Sequence, residues 1–178
     1  MRSVCVFLSS SDGRPQDREA IAALAQEIAK RGLTLVYGGA HRGLMGVLAD
    51  EMLAAGGKVI GVIPRALVEL EVAHTGLTEQ HVVETMHQRK AMMYSLADAF
   101  VVAPGGFGTL EEAFEQLTGI QLRYHNKGVV FLDVEGFWTR MVEFLDHAAH
   151  VGVLRPETRA LFRTASSASA ALDVLENW

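Results

Sequence analysis

Short runs built almost wholly of Val, Ile, Leu and Phe recur along the chain, at Ser3 to Ser10, Leu33 to Tyr37, Lys58 to Ile63, Ala99 to Ala103 and Gly128 to Leu132. A run without polar alternation reads as a strand covered on both faces, which is the pattern of a buried parallel sheet. Between these runs the apolar residues change to helical spacing, as in Ile21, Leu24, Ala25 and Ile28, or Leu44, Val47, Leu48 and Met52, or Leu110, Ala113, Phe114 and Leu117. Strands that alternate with helices in this way are crossover units, with helices laid on both faces of the sheet.

The remaining segments fit the same scheme. Val82 and Val83 form a short strand, Met86 to Ala97 a helix, Phe137 to Ala149 another and Ala168 to Leu175 a final short one. Pro64 closes the third strand, and the mixed stretch from 65 to 80 allows a short helix around Ala66 to Glu71. The expected architecture is α/β and three-layered, a Rossmann-like doubly wound parallel sheet flanked by helices, as one domain over residues 1–178. Ligands of such sheets bind at the carboxyl ends of the strands, and glycine-rich turns follow the second and fifth strands there. The two turns are expected to line one crevice.

Composition narrows the partners. A net charge of −5 with 21% charged residues gives no basic surface for nucleic acid or an anionic membrane, so a small anionic ligand must be held locally. Cys5 is the only cysteine, which excludes an internal disulfide and a cysteine-based metal site and fits a reducing compartment. The N-terminus runs straight into a strand and no long apolar stretch follows, so the expected location is cytoplasmic. The histidines carry no metal signature: His147 and His150 share a helix face without an acidic or cysteine partner at ligand spacing. Neither a metal nor a cofactor is expected.

The chemistry concentrates in Val101-Val102-Ala103-Pro104-Gly105-Gly106-Phe107-Gly108-Thr109-Leu110-Glu111-Glu112, a buried strand, a glycine-rich turn and a helix start. Glycines let backbone N–H groups approach an anion closely, and the first helical turn adds unpaired donors and the positive end of its dipole. Neither this turn nor Gly38-Gly39-Ala40-His41-Arg42-Gly43 matches a dinucleotide fingerprint or a P-loop, which removes support for hydride transfer and NTP hydrolysis. A carboxylate beside a phosphate is repulsive, so Glu111 or Glu112 should serve positive charge that develops elsewhere on the ligand. Hydrolysis of a nucleotide's glycosidic bond creates such charge at the sugar carbon.

Upstream, Arg89 shares a helix face with Met92, Met93 and Leu96. It reads either as a snorkelling or structurally paired arginine, or as an anion clamp suited to the planar guanidinium. Lys90 lies about 100° further round and reads equally as solvated. Glu112 projects roughly opposite the stripe of Leu110, Phe114 and Leu117, hence away from its own sheet, toward water or another subunit. His87 suits a cap or core role better than proton transfer, and Ser9, Ser10 and Ser11 could donate to a ligand at the end of the first strand.

Together, Val36-Tyr37-Gly38-Gly39 with Gly43-Leu44-Met45-Gly46, Met86-His87-Gln88-Arg89-Lys90 and Pro104 to Glu112 resemble the Lonely Guy (LOG) family of cytokinin riboside 5′-monophosphate phosphoribohydrolases, often mislabelled as lysine decarboxylases. The resemblance spans about residues 2 to 150. It implies a homodimer with its active site near the subunit interface, hydrolysing an adenine-type nucleoside monophosphate to free base and ribose 5-phosphate. Arg89 and Glu112 fall on the family's catalytic positions. Gly105, Gly106, Phe107, Gly108 and Thr109 fall on its phosphate cradle, and Gly39, Glu71, Lys90, Glu111 and Thr118 on further substrate-binding positions. The chain departs from the family at Ala40, where a third glycine is usual, at Leu8-Ser9-Ser10-Ser11 in place of Cys-Gly-Ser-Ser, and from Leu67 to Gln80. The PGGxGT turn also resembles that of molybdenum-cofactor carriers, which need the cradle without the chemistry.

Overall fold

The computed structural model describes residues 1–70 and 72–178. In chain order the strands are β1 (Ser3–Phe7), β2 (Thr34–Tyr37), β3 (Lys58–Pro64), β4 (Glu79–Val83), β5 (Ala99–Val102), β6 (Val129–Leu132) and β7 (Arg163–Ala165). The helices are α1 (Pro15–Lys30), α2 (Gly43–Ala54), α3 (Arg65–Glu69), α4 (Met86–Leu96), α5 (Phe107–Gln121), α6 (Thr139–His150), α7 (Pro156–Arg159) and α8 (Ala168–Glu176). The sheet runs β4-β3-β2-β1-β5-β6-β7, and its paired strands are all parallel. This is the doubly wound, three-layered α/β sheet expected from the apolar runs.

Two-residue alternation sorts each strand between two cores. Val4 and Val6 of β1 join Leu35, Tyr37, Val59, Val101 and Val130 beneath α1, α2 and α8, while Cys5 and Phe7 join Val36, Val62, Phe100, Val102 and Phe131 beneath α4, α5 and Trp138. In the central strands β1, β2, β5 and β6 both faces are covered, which is why these strands read as unbroken apolar runs.

Several details differ from the sequence reading. Pro64 closes β3 as expected, though from within it, as its last paired residue opposite Val83, and β4 begins at Glu79 rather than Val82. The strand β7 and the short helix α7 were absent from the pattern, because Arg163-Thr164-Ala165 is an edge strand with only Ala165 buried and carries no apolar run. The stripe of α5 is also rotated: its buried residues are Thr109, Glu112, Ala113, Gln116 and Leu117, whereas Phe114 is exposed. Glu112 therefore faces inward, not away from the sheet. Polar residues occupy the part of the stripe that meets the crevice, and a purely apolar count sets the helix phase wrongly there.

In the strand order, chain progression reverses between β1 and β5, so the loops leaving their carboxyl ends diverge and open a crevice. Ser9 N–H donates to Pro104 O across that gap (3.1 Å), which fixes the two loops relative to each other.

Candidate active site

A cleft of about 480 Å³ opens at this switch point, a size that suits a small-molecule ligand. It is lined by Ser9 to Ser11 after β1, by Gly38, Ala40, Arg42 and Met45 from the β2–α2 turn, and by Gly106 to Thr109 with Arg89 and Glu112. The two glycine-rich turns thus share one crevice.

The glycine-rich turn expected to hold an anion forms the start of α5. Gly106 is its N-cap and no side chain caps it, so the first-turn N–H groups point at the cleft with the positive end of the helix dipole. Gly105 lies just behind. A Cβ there would overlap Thr109 Oγ1 and lie 2.6 Å from Thr109 Cβ, so only glycine allows the turn to fold back over the buried threonine. Phe107 stands at the mouth of the cleft, 93% exposed.

Arg89 is positioned from the opposite wall. The α4 start is fixed by a capping box in which Thr85 Oγ1 accepts from Gln88 N–H and Gln88 Oε1 accepts from Thr85 N–H, both at 3.2 Å. That phase buries Arg89 beside Met93, with Nε donating to Val62 O (3.1 Å) and Nη1 3.2 Å from Glu112 Oε1. The remaining terminal nitrogen, Nη2, lies against Gly38, where a Cβ would collide with it and sit 2.6 Å from Met45 Cε. Glu112 and Arg89 are each less than 10% exposed. Burial pushes the Glu112 carboxyl up to about 7, with Arg89 pulling it down and Glu111 adding to the rise. It is a carboxylate poised near neutrality, held by one guanidinium.

The other expected site residues are placed differently. Lys90 does not line the cleft: its ammonium pairs with Glu111 and, at 3.1 Å, with Glu115 on the outer side of α5. Glu111 is exposed there, and Thr118 is exposed nearly two turns further along the same helix. Gly39 (φ +76°) packs against Ile63 beneath the turn rather than on the cleft surface. Glu71 lies outside the described residues. Contributors that the motifs did not single out are Arg42, Met45, Leu67 and Val72. Leu67 and Val72 reach the rim because residues 72 to 74 dock on the β2–α2 turn, with His41 N–H donating to Val72 O and His74 N–H to Gly39 O. A segment held by backbone pairing leaves no motif, so only the spacing of Gly39 and His41 could have hinted at it. His87 is exposed and lies on a separate groove between α4 and α5.

Residues 45–175 match the family model described as "Possible lysine decarboxylase". The chain is 47% identical over 161 residues to the cytokinin riboside 5′-monophosphate phosphoribohydrolase of Rhodococcoides fascians, covering 89% of this chain and 81% of that one. It is 40% identical over 176 residues to one from Arabidopsis thaliana, covering 98% and 77%. The chain belongs to the Lonely Guy family. Among solved structures, the LOG chain resembles the molybdenum cofactor binding protein of Rippkaea orientalis with a TM-score of 0.77 at 19% identity, over 99% of this chain and 96% of that one. At that identity the likeness concerns the fold. A pyridoxal-dependent decarboxylase would need a lysine facing its substrate, and no lysine is among the described residues lining this LOG protein's cleft.

Proposed function

We propose that this LOG protein hydrolyses the N-glycosidic bond of adenine-type nucleoside 5′-monophosphates, cytokinin riboside monophosphates or AMP, to free base and ribose 5-phosphate. The observation that carries the reading is the buried Arg89–Glu112 pair in the wall of the cleft, beside an uncapped helix N-terminus. The first turn of α5 holds the 5′-phosphate, which sets the sugar carbon against Glu112. As the C–N bond breaks, the oxocarbenium-like sugar is stabilised by the ionised carboxylate, which also orients the attacking water. Arg89 favours the ionised form of that carboxylate and aims it, its Nη2 lying beside Gly38 in the cleft wall. Incubation with N6-isopentenyladenosine monophosphate and with AMP tests it: free base and ribose 5-phosphate in equal amounts are expected, and a nucleotide bound but returned intact would favour a carrier instead.

The ionisation of Glu112 has two consequences of opposite sign. Activity needs the carboxylate, so kcat/KM should rise with pH through about 7. Stability runs the other way, since a carboxyl raised from 4.5 in the unfolded chain favours the fold fully below that value and loses its contribution as pH climbs through about 7. Titration of the Glu112 carboxyl resonance in ligand-free protein reads the group directly. A midpoint in the ordinary glutamate range would refute the assignment.

The homodimer is also proposed. Large exposed apolar side chains occur on the α4, α5 and α6 side, at Met86, Phe114, Leu122, Tyr124 and Phe144, and none lies on α1, α2 or α8. Such a one-sided distribution favours a partner on that side, next to the helices that carry the site. Light scattering on an active preparation should give twice 19.3 kDa, and a mass equal to one chain counts against the pairing.

A further inference from the structure

Two adjacent residues, Arg89 and Lys90, make three ion pairs that join the same two helices. Arg89 meets Glu112 on the side facing the cleft, and Lys90 meets Glu111 and Glu115 on the side facing away from it. Lys90 is 9% exposed although it carries a charge, while Glu111 and Glu115 reach it from one helical turn apart. The Lys90 ammonium is largely enclosed while its two carboxylates are about half exposed, and drawing the helices apart would leave that cation unpaired, so the contacts restrain the spacing of α4 and α5. Burial alone would lower the Lys90 ammonium, and the two carboxylates outweigh it and hold the group above its usual range.

We infer that Lys90 is a positioning residue: by tying Glu111 and Glu115 to α4 it holds α5 in the register at which Glu112 meets Arg89. This rests on the hydrolase reading above and replaces direct substrate contact as the reason for a lysine beside Arg89. The clamp also has an electrostatic side. The charged and titratable groups whose field reaches Glu112 are Arg89 and Lys90 from α4, Glu111 and Glu115 from its own helix, and the Cys5 thiol of β1. Lys90 offsets two like charges that would otherwise push Glu112 further up.

Lys90→Met keeps the length and apolar stem of the side chain and removes the clamp. Expected are a kcat for base release lower by about 10- to 100-fold, a nucleotide KM within about threefold of wild type, and a pH limb moved to higher pH, with Lys90→Arg restoring most of the rate. The Glu111→Gln/Glu115→Gln double variant opens the clamp from the other helix. It should lose kcat similarly while its limb moves to lower pH, a difference in sign that general loosening of the fold does not produce. If Lys90→Met does not fold, the double variant decides alone. A Lys90→Met protein with raised KM and retained kcat would make Lys90 a substrate contact and overturn the inference. So would unchanged kcat and pH limb in a variant compared with an active wild type. A wild-type protein that releases no base overturns the hydrolase reading and this inference together.

Discussion

Glu112→Gln is expected to give a folded protein that binds nucleotide and turns it over about 10²- to 10⁴-fold more slowly than wild type. Glutamine keeps the volume of the side chain and an oxygen for Arg89 Nη1, so the wall of the cleft stays in place. What disappears is the negative charge opposite the sugar carbon and the base that orients water. Binding should survive because the cradle is backbone at the start of α5 and does not involve this carboxylate. The variant is read by base release, by calorimetric titration with nucleotide and by a thermal melt. Turnover within a few-fold of wild type, with the melt unchanged, would remove Glu112 from the chemistry.

Gly38→Ala should be nearly as damaging to activity, at a position that never touches the reacting bond. The added methyl collides with Arg89 Nη2 and with Met45 Cε. Methionine can move, since its end is flexible. Arg89 cannot move without giving up something, because Nε is committed to Val62 O and Nη1 to Glu112. Displacing the guanidinium leaves a buried carboxylate without its counter-charge, which raises its pKa further and misaims it. A loss on the order of 10²-fold in kcat/KM is expected, with the pH limb displaced upward. Full activity would show that Nη2 has room to spare and that its place beside Gly38 is incidental.

Both substitutions concern residues whose part in the molecule was legible to different degrees. The sheet was readable because strands buried on both faces have no polar alternation to confuse, so Val4 to Phe7 or Phe100 to Val102 could hardly be anything else. At the edge the signal vanished, and Arg163 to Ala165 passed unnoticed, since an edge strand half open to water is composed like a loop. In the site, the glycine turn and its helix were evident from the order strand, turn, helix. The orientation of Glu112 was not, because Thr109, Glu112 and Gln116 are polar residues on a buried face and make the inward stripe look like an outward one. The position of Lys90 relative to Arg89 was readable, but its partners were not. A step of about 100° from Arg89 carries it round to the far side of α4, where Glu111 and Glu115 meet it, and an adjacent position in a motif does not mean an adjacent position in space.

The division of the strands into two rims has a consequence for how such a chain can change over time. Every group proposed to act in the reaction leaves a strand at its carboxyl end or lies on a helix that begins there, whereas the tight bends entering β2 and β3 carry Gly32 and Gly56 with open space around them. Lengthening those far bends, or fusing another polypeptide near them, leaves the crevice untouched. Working edge and tolerant edge are separated by the length of the strands, so appendages can accumulate on one while the residues lining the crevice vary independently on the other.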